Sequence, residues 1–157
     1  MTVFAIIKHE FPPNYDAIAA AFDLKGYRPI FAFAPDIYDP HRSGVPAELL
    51  AHEEVHIKRQ GNFPSKWWEQ YITDENFRVT EELMSHVAEY TVLANGKGRA
   101  DRRRIFAYVA ERLRSPIYGY RPALSEDRTR RLLKMALHEA EKSSKPTIGR
   151  SVNANAM

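Results

Sequence analysis

The spacing of apolar residues along the chain predicts a few short strands and a series of amphipathic helices. Residues 2–8 have the composition of a strand, residues 14–23 that of a short helix, and residues 29–34 and 36–39 those of two β-rich segments separated by Pro35. Five more helices are predicted, over residues 46–61, 65–71, 74–95, 100–114 and onward from Ser125. This order indicates an α+β fold that is mostly helical.

Several residues mark where the longer helices should begin and end. Pro46 suits a first helical turn because its missing N–H has no partner there, and Gly61 suits a left-handed C-terminal cap. Asp74 and Ser125 have side chains that can accept hydrogen bonds from the first turn of the helix that follows each of them. A Pro- and Tyr-containing loop over residues 115–122 is expected to separate the last two helices.

Length and composition limit the organisation and the chemistry. The chain has 157 residues, 44% of them apolar, which predicts one domain over residues 1–142 and a polar, disordered tail over residues 143–157. Because cysteine is absent, a metal could bind only to His, Asp or Glu. Neither a signal peptide nor a membrane span is recognisable, so a cytoplasmic protein of a bacterium or phage-infected cell is expected, with no membrane partner.

The predicted helix over residues 46–61 contains the HExxH sequence His52-Glu53-Glu54-Val55-His56. On a helix the two histidines differ by about 40° in direction and about 6 Å in height, so both imidazoles can bind one ion. Apolar neighbours lie beside these histidines and Glu53, whereas Glu54 lies opposite, which directs the motif inward. The pattern is typical of a zinc centre whose carboxylate, here Glu53, takes a proton from metal-acidified water.

A catalytic zinc ion needs a third protein ligand, and the helix over residues 74–95 is the expected donor. Glu82 lies on the flank of its apolar stripe and is the best-placed carboxylate, whereas Glu81 points away from Leu83. His86 and Glu89 share the face of Glu82 and stay open as alternative ligands.

Other side chains could support the reaction without binding the metal. His86 could orient a ligand or donate to a developing oxyanion, and Tyr71 and Tyr90 could supply phenolic donors. The β-rich residues 31–38 could align an extended peptide substrate by strand addition.

The chain resembles the gluzincin class of metallopeptidases over about residues 3–90, in a minimal form found among small bacterial and phage-encoded proteins. The resemblance rests on two segments, AHEEVHIKRQG and KWWEQYITDENFRVTEELMSHVAEY. A later segment is similar to the ending of uncharacterised phage and prophage proteins, and reads IFAYVAERLRSPIYGYRPALSEDRTRRLLKMA.

The resemblance implies a zincin-like domain in which a strand–helix–strand framework carries the HExxH helix and a "glutamate helix" follows. It implies that His52, His56 and Glu82 bind Zn²⁺ and that Glu53 is the general base. Many gluzincins have an acidic residue four positions after the ligand glutamate to orient a zinc-binding histidine. This chain has His86 at that position.

The sequence therefore predicts a zinc-dependent metallopeptidase acting on a peptide or protein substrate. The first alternative is a phage or prophage structural or interaction protein that keeps the helix with bound zinc but without turnover. The second is a nucleic-acid-binding accessory protein that uses the basic carboxy-terminal helices, although the formal net charge of +3 alone decides nothing. A solvated helix face is the favoured interpretation of the basic run formed by Arg99, Arg102, Arg103, Arg104, Arg112 and Arg114.

Overall fold

The structure is a computed structural model that describes residues 5–145. In this part of the chain, six α-helices and a three-stranded sheet form the predicted α+β fold, which is mostly helical. In chain order the elements are β1 (Ile7–Lys8), α1 (Tyr15–Ala21), β2 (Phe31–Phe33), β3 (Asp36–Tyr38), α2 (Ala47–Gln60), α3 (Pro64–Thr73), α4 (Glu75–Ala94), α5 (Arg99–Leu113), a 3-10 helix (Pro116–Tyr118) and α6 (Glu126–Ser144).

The sheet is small, and β3 is its central strand. β1 pairs with β3 in parallel, with Ile7 opposite Ile37, and β2 pairs with β3 antiparallel, with Phe31 opposite Tyr38. The strands are shorter than predicted, and residues 2–4 of the predicted first strand lie outside the described residues. Because β2 pairs only with β3, it is an edge strand. It lies beside α2, which carries residues of the site described below.

The predicted helix ends agree with the structure to within a few residues. Asp74 caps α4 by accepting a hydrogen bond from the backbone N–H of Phe77, and Ser125 caps α6 in the same way. Gly61 follows α2 with a positive φ of 55°, a backbone region that disfavours residues with a Cβ. Because α6 continues to Ser144, the predicted tail begins slightly too early, and residues 146–157 of it lie outside the described residues.

Two hydrophobic clusters flank α4, which packs against α2, α3, α5 and α6. The aromatic cluster lies among α1, the sheet and α3, and consists of Ile18, Phe31, Tyr38, Trp67, Trp68 and Tyr71. The helical cluster lies between α5 and α6, and consists of Val109, Ala110, Leu113 and Leu133. None of the helices within residues 5–145 has the length and apolar character needed to cross a bilayer.

The most buried face of α4 is polar. Its fully buried residues recur at the three- and four-residue spacing of one helix face, and they are Arg78, Glu81, Glu82, Ser85, His86 and Glu89. The apolar residues Leu83, Val87 and Tyr90 are only partly buried, against the helical cluster. The centre of the fold is therefore a polar network, and packing alone does not explain it.

Candidate metal centre

The HExxH residues of α2 face the interior, as their helical spacing predicts. His52, Glu53 and His56 are buried, whereas Glu54 and Lys58 on the other side of α2 are exposed. The rings of His52 and His56 lie 5.0 Å apart, centroid to centroid. Two imidazoles and one carboxylate therefore project together from α2 toward α4.

Glu82 of α4 completes a three-residue group with the two histidines. Its carboxylate oxygens lie 3.5 Å from Nε2 of His52 and 3.4 Å from Nε2 of His56. These separations exceed those of good hydrogen bonds. Donor atoms bound tetrahedrally to zinc at about 2.0–2.1 Å lie roughly 3.3–3.4 Å from one another. The three side chains could therefore hold a metal ion, since one ligand atom from each lies within 4.8 Å of the others.

The Glu82 carboxylate is held in its ionised form. Burial alone would raise its pKa, but the positive charges of His56 and His52 outweigh burial and lower the pKa well below its usual range. The hydroxyl of Tyr71 donates a hydrogen bond to Oε1 of Glu82 at 2.5 Å. Burial, followed by the Glu82 charge, raises the pKa of Tyr71 well above 10, so the phenol stays protonated and keeps donating.

His52 is oriented from behind by Glu89. Its Nδ1 lies 3.1 Å from Oε2 of Glu89. In the neutral imidazole this hydrogen bond places the proton on Nδ1, so that Nε2, on the side of Glu82, can bind a metal. Oε1 of Glu89 accepts a 2.5 Å hydrogen bond from Nε of Arg112 on α5. Although burial would raise the pKa of Glu89, its hydrogen bonds to His52 and Arg112 lower it to about 2. The charged carboxylate of Glu89 thus connects His52, a potential metal ligand, to Arg112 on α5.

His86 contacts both Glu82 and His52. Its Nδ1 donates to the backbone carbonyl of Glu82 at 2.7 Å, and its ring packs edge-on against His52 at 4.7 Å. Burial, together with the charge of His52, lowers the pKa of His86 to about 4, so its imidazole is neutral near pH 7. Its Nε2 is buried and has no hydrogen-bond partner among the described residues.

A second group, His52, His86 and Glu89, could hold a metal by distance alone. Two features favour the first group over the second. Glu89 already bonds the Arg112 guanidinium, whose positive charge opposes a cation at that position. In addition, His52, His56 and Glu82 line a cavity, whereas His86 and Glu89 do not. Only the first group therefore gives an ion access to a ligand from solution.

Glu53 lies on the cavity wall, beside His52 and His56. Its carboxylate forms no hydrogen bond or ion pair with any other described side chain. Burial is the main cause that raises the pKa of Glu53, although the charges of His52 and His56 act against it. A carboxylate with a raised pKa that faces a cavity is suited to accept and return a proton.

The cavity has a volume of about 510 Å³, within the usual range for small-molecule sites. His52, His56 and Glu82 form part of its wall, and most of the remaining wall is apolar, including Ile18, Phe22, Leu24, Phe31, Leu49 and Ile117. Trp67 and Trp68 line the cavity and also belong to the aromatic cluster, so the same side chains form the cavity wall and pack in the core.

Sequence reasoning did not identify two residues of the cavity wall. Tyr118 lies in the 3-10 helix that follows α5, a segment predicted only as a loop, and its ring packs 5.9 Å from that of His86. Arg112 belongs to the basic run predicted as a solvated face, yet its side chain reaches inward to Glu89. By contrast, the structure does not bring Tyr90 to the cavity, because its ring packs near Phe106 beside the helical cluster.

Side chains occupy part of the edge of β2. The carboxamide of Gln60 donates to the backbone carbonyl of Ala32 at 2.9 Å and accepts from the backbone N–H of Ala34 at 2.7 Å. The indole of Trp68 also donates to the carbonyl of Ala32, at 2.9 Å. Strand β3 is paired on both sides. Strand addition along residues 31–38 stays a prediction, and it could not use the Ala32 carbonyl or the Ala34 N–H, which are already bonded.

Comparisons of the chain with protein-family models, curated proteins and solved structures gave no match. The resemblance to gluzincins therefore stays a prediction from two sequence segments. What the described residues provide is a buried histidine and glutamate group that could hold a metal, opening onto a largely apolar cavity.

Proposed function

We propose that the protein is a zinc-dependent peptidase or related amide hydrolase of the gluzincin type. In this proposal His52, His56 and Glu82 bind the metal, and Glu53 is the general base. One observation supports it above all: Nε2 of each histidine lies 3.4–3.5 Å from the Glu82 carboxylate, close to the spacing of tetrahedral zinc ligands, at the wall of a cavity.

The type and number of donors favour catalytic zinc. Two imidazoles and one carboxylate are typical ligands of Zn²⁺, whereas calcium and magnesium prefer sites in which all ligand atoms are oxygen. Structural zinc sites normally have four protein ligands, whereas catalytic sites have three and keep one position for water or substrate. The hydrogen bond from His52 to Glu89 is the kind of support that fixes a ligand imidazole and raises its affinity for metal.

The side chains around the metal position have complementary tasks in amide hydrolysis. When bound, zinc would supply Lewis-acid polarisation of the scissile carbonyl and would lower the pKa of the attacking water toward about 7. Glu53 takes a proton from that water and passes it to the amine as the C–N bond breaks. Tyr71 and Tyr118 line the cavity, and either phenol could donate to the developing oxyanion by turning from Glu82, which both approach.

Metal analysis combined with one pair of substitutions tests this function. Protein purified without added zinc should contain about one equivalent of the metal, and it should hydrolyse members of a fluorogenic peptide library. Glu53→Gln should keep the metal and lose at least about a hundredfold in hydrolysis rate, because the general base is removed. Glu54→Gln is the matched control: it is the same change at the adjacent, exposed position, and it should alter neither property.

Two results would contradict the proposal in different ways. Absence of bound zinc would exclude the metal centre. Stoichiometric zinc without hydrolysis of any peptide, in the wild type and both variants, would instead favour an interaction protein that keeps the metal for stability.

A further inference from the structure

Arg112 presents an unused pair of hydrogen-bond donors to the cavity. Its Nε is occupied by Glu89, but its two terminal nitrogens form no hydrogen bond with any described residue. The side chain is about one third exposed, and its guanidinium lies 5.8 Å from the centre of the Tyr108 ring. Arg112 therefore lines the cavity with two terminal nitrogens that no described residue satisfies, and Glu89 lies between its guanidinium and His52.

A ligand that fills the cavity must satisfy these donors. Removing water from a guanidinium without replacing its acceptors is unfavourable, so the occupant has to supply an acceptor of its own. The two terminal nitrogens of an arginine match the two oxygens of a carboxylate, and charge-assisted pairs of this kind are stronger than neutral hydrogen bonds. Glu111, an acidic residue on the same wall, is already paired with Arg114 at 3.0 Å.

The rest of the cavity favours a short substrate. Gln60 and Trp68 occupy backbone groups of β2 at Ala32 and Ala34, and Pro29 has no N–H to donate, so little of this edge can pair with a long extended chain. The apolar wall can instead receive one bulky apolar side chain. The end of a peptide meets both conditions, whereas a segment within a long chain does not.

We propose that Arg112 binds the α-carboxylate of the substrate, so that the enzyme removes a C-terminal apolar residue from a short peptide or an N-acylated amino acid. This inference rests on the proposed function, because it names the substrate class of the same site. Arg28 also lines the cavity, but it is exposed, and neither Glu89 nor another described side chain orients it. Arg112 is held in place by Glu89, so its terminal nitrogens are pre-organised for an anion.

Binding of an acid and its amide tests the proposal without requiring turnover. N-acetyl-phenylalanine and N-acetyl-phenylalaninamide are titrated by NMR into the full-length protein after chelation of metal, and again with one equivalent of zinc. The acid should bind at least about tenfold more tightly than the amide. Arg112→Gln should bring this ratio close to one. Arg103→Gln, which changes an exposed arginine of the same helix that does not line the cavity, should leave the ratio unchanged.

Three results would overturn the proposal: equal binding of acid and amide by the wild type, a ratio unaffected by Arg112→Gln, or a ratio lost in Arg28→Gln instead. If Arg112→Gln does not fold, Arg112→Lys keeps a charge near Glu89 without the fork, and it should also lower the ratio. The metal-free titration needs no zinc, so a protein that prefers the acid but never binds zinc contradicts only the proposed function. A zinc-bound, Glu53-dependent hydrolase without this preference contradicts only the role of Arg112.

Discussion

The two faces of α4 differ in a way that separates stability from function. One face places Leu83, Val87 and Tyr90 against the aliphatic helical cluster, as an ordinary amphipathic helix does. The other face buries Glu82, His86 and Glu89 more completely than any apolar residue of the same helix. The first face gains free energy by removing apolar surface from water, whereas the second has to offset the desolvation of charged groups.

Contacts compensate for most of that cost, but they leave atoms directed at one point. Glu89 bonds His52 and Arg112, and Glu82 accepts from Tyr71. Among the described residues, the buried Nε2 of His86 has no hydrogen-bond partner. The Nε2 atoms of His52 and His56 instead approach Glu82 at separations too long for good hydrogen bonds. Buried ionisable groups arranged in this way are characteristic of functional sites. The comparison implies that each face can be weakened without the other.

The largest expected effect concerns the helical cluster, on which the apolar face of α4 packs. Leu133→Ala should lower the free energy of unfolding by about 2 to 5 kcal/mol, because Leu133 is fully buried in the helical cluster and its removal leaves a cavity. Chemical denaturation measures this loss. Met135→Ala, a truncation of an exposed side chain on the same helix, should change the free energy by no more than about 0.5 kcal/mol. Zinc content should be unchanged in both variants, and loss of zinc in folded Leu133→Ala would show that the faces are coupled.

An intermediate effect is expected where the polar face supports the ligands. Glu89→Gln should weaken zinc binding by about 10- to 100-fold, because the charged partner that orients His52 becomes neutral. Competition with a chromophoric chelator measures the affinity. Glu111→Gln removes another glutamate charge, from a side chain that lines the cavity and pairs only with Arg114, and it should leave zinc affinity unaltered. Equal losses in the two variants would mean that general electrostatics, and not the bond to His52, determines affinity.

The smallest effect concerns Glu81, a residue of the polar face that lies apart from the group of His52, His56 and Glu82. Glu81 is buried on α4, but it pairs with Arg59 through two hydrogen bonds of 2.6 and 2.7 Å and contacts neither histidine of α2. Glu81→Gln should lower the free energy of unfolding by about 1 kcal/mol, because Arg59 is partly exposed and water can replace the lost charge pairing. Thermal unfolding and chelator competition together check that zinc affinity stays at the wild-type value.

Local patterns were sufficient to predict the helices and the direction of the HExxH motif. The inward orientation of His52 and His56 follows from the helical period, because apolar neighbours share their side of α2. The preference for Glu82 over Glu81 agrees with their positions on α4, since Glu82 faces the histidines and Glu81 faces Arg59. These outcomes depend on geometry within single helices.

Contacts between distant elements could not be predicted in this way. Arg112 lies in a run of basic residues, and only the docking of α5 on α4 shows that one of them reaches Glu89. Tyr118 had no helical or strand periodicity to indicate a direction, because it belongs to a three-residue 3-10 helix. The sequence spacing also placed Glu89 among alternative ligands, whereas its contact with His52 through Nδ1 depends on how α2 and α4 cross.

The carboxamide of Gln60 has a consequence beyond the cavity. Exposed edges of β-sheets can recruit strands from other molecules, and natural proteins protect such edges in order to stay soluble. Here one glutamine at the end of α2 satisfies the carbonyl of Ala32 in β2 and the N–H of Ala34 just after it, much as a neighbouring strand would. The side chain that occupies these backbone groups thus also protects a sheet of three strands against edge-to-edge pairing with another molecule.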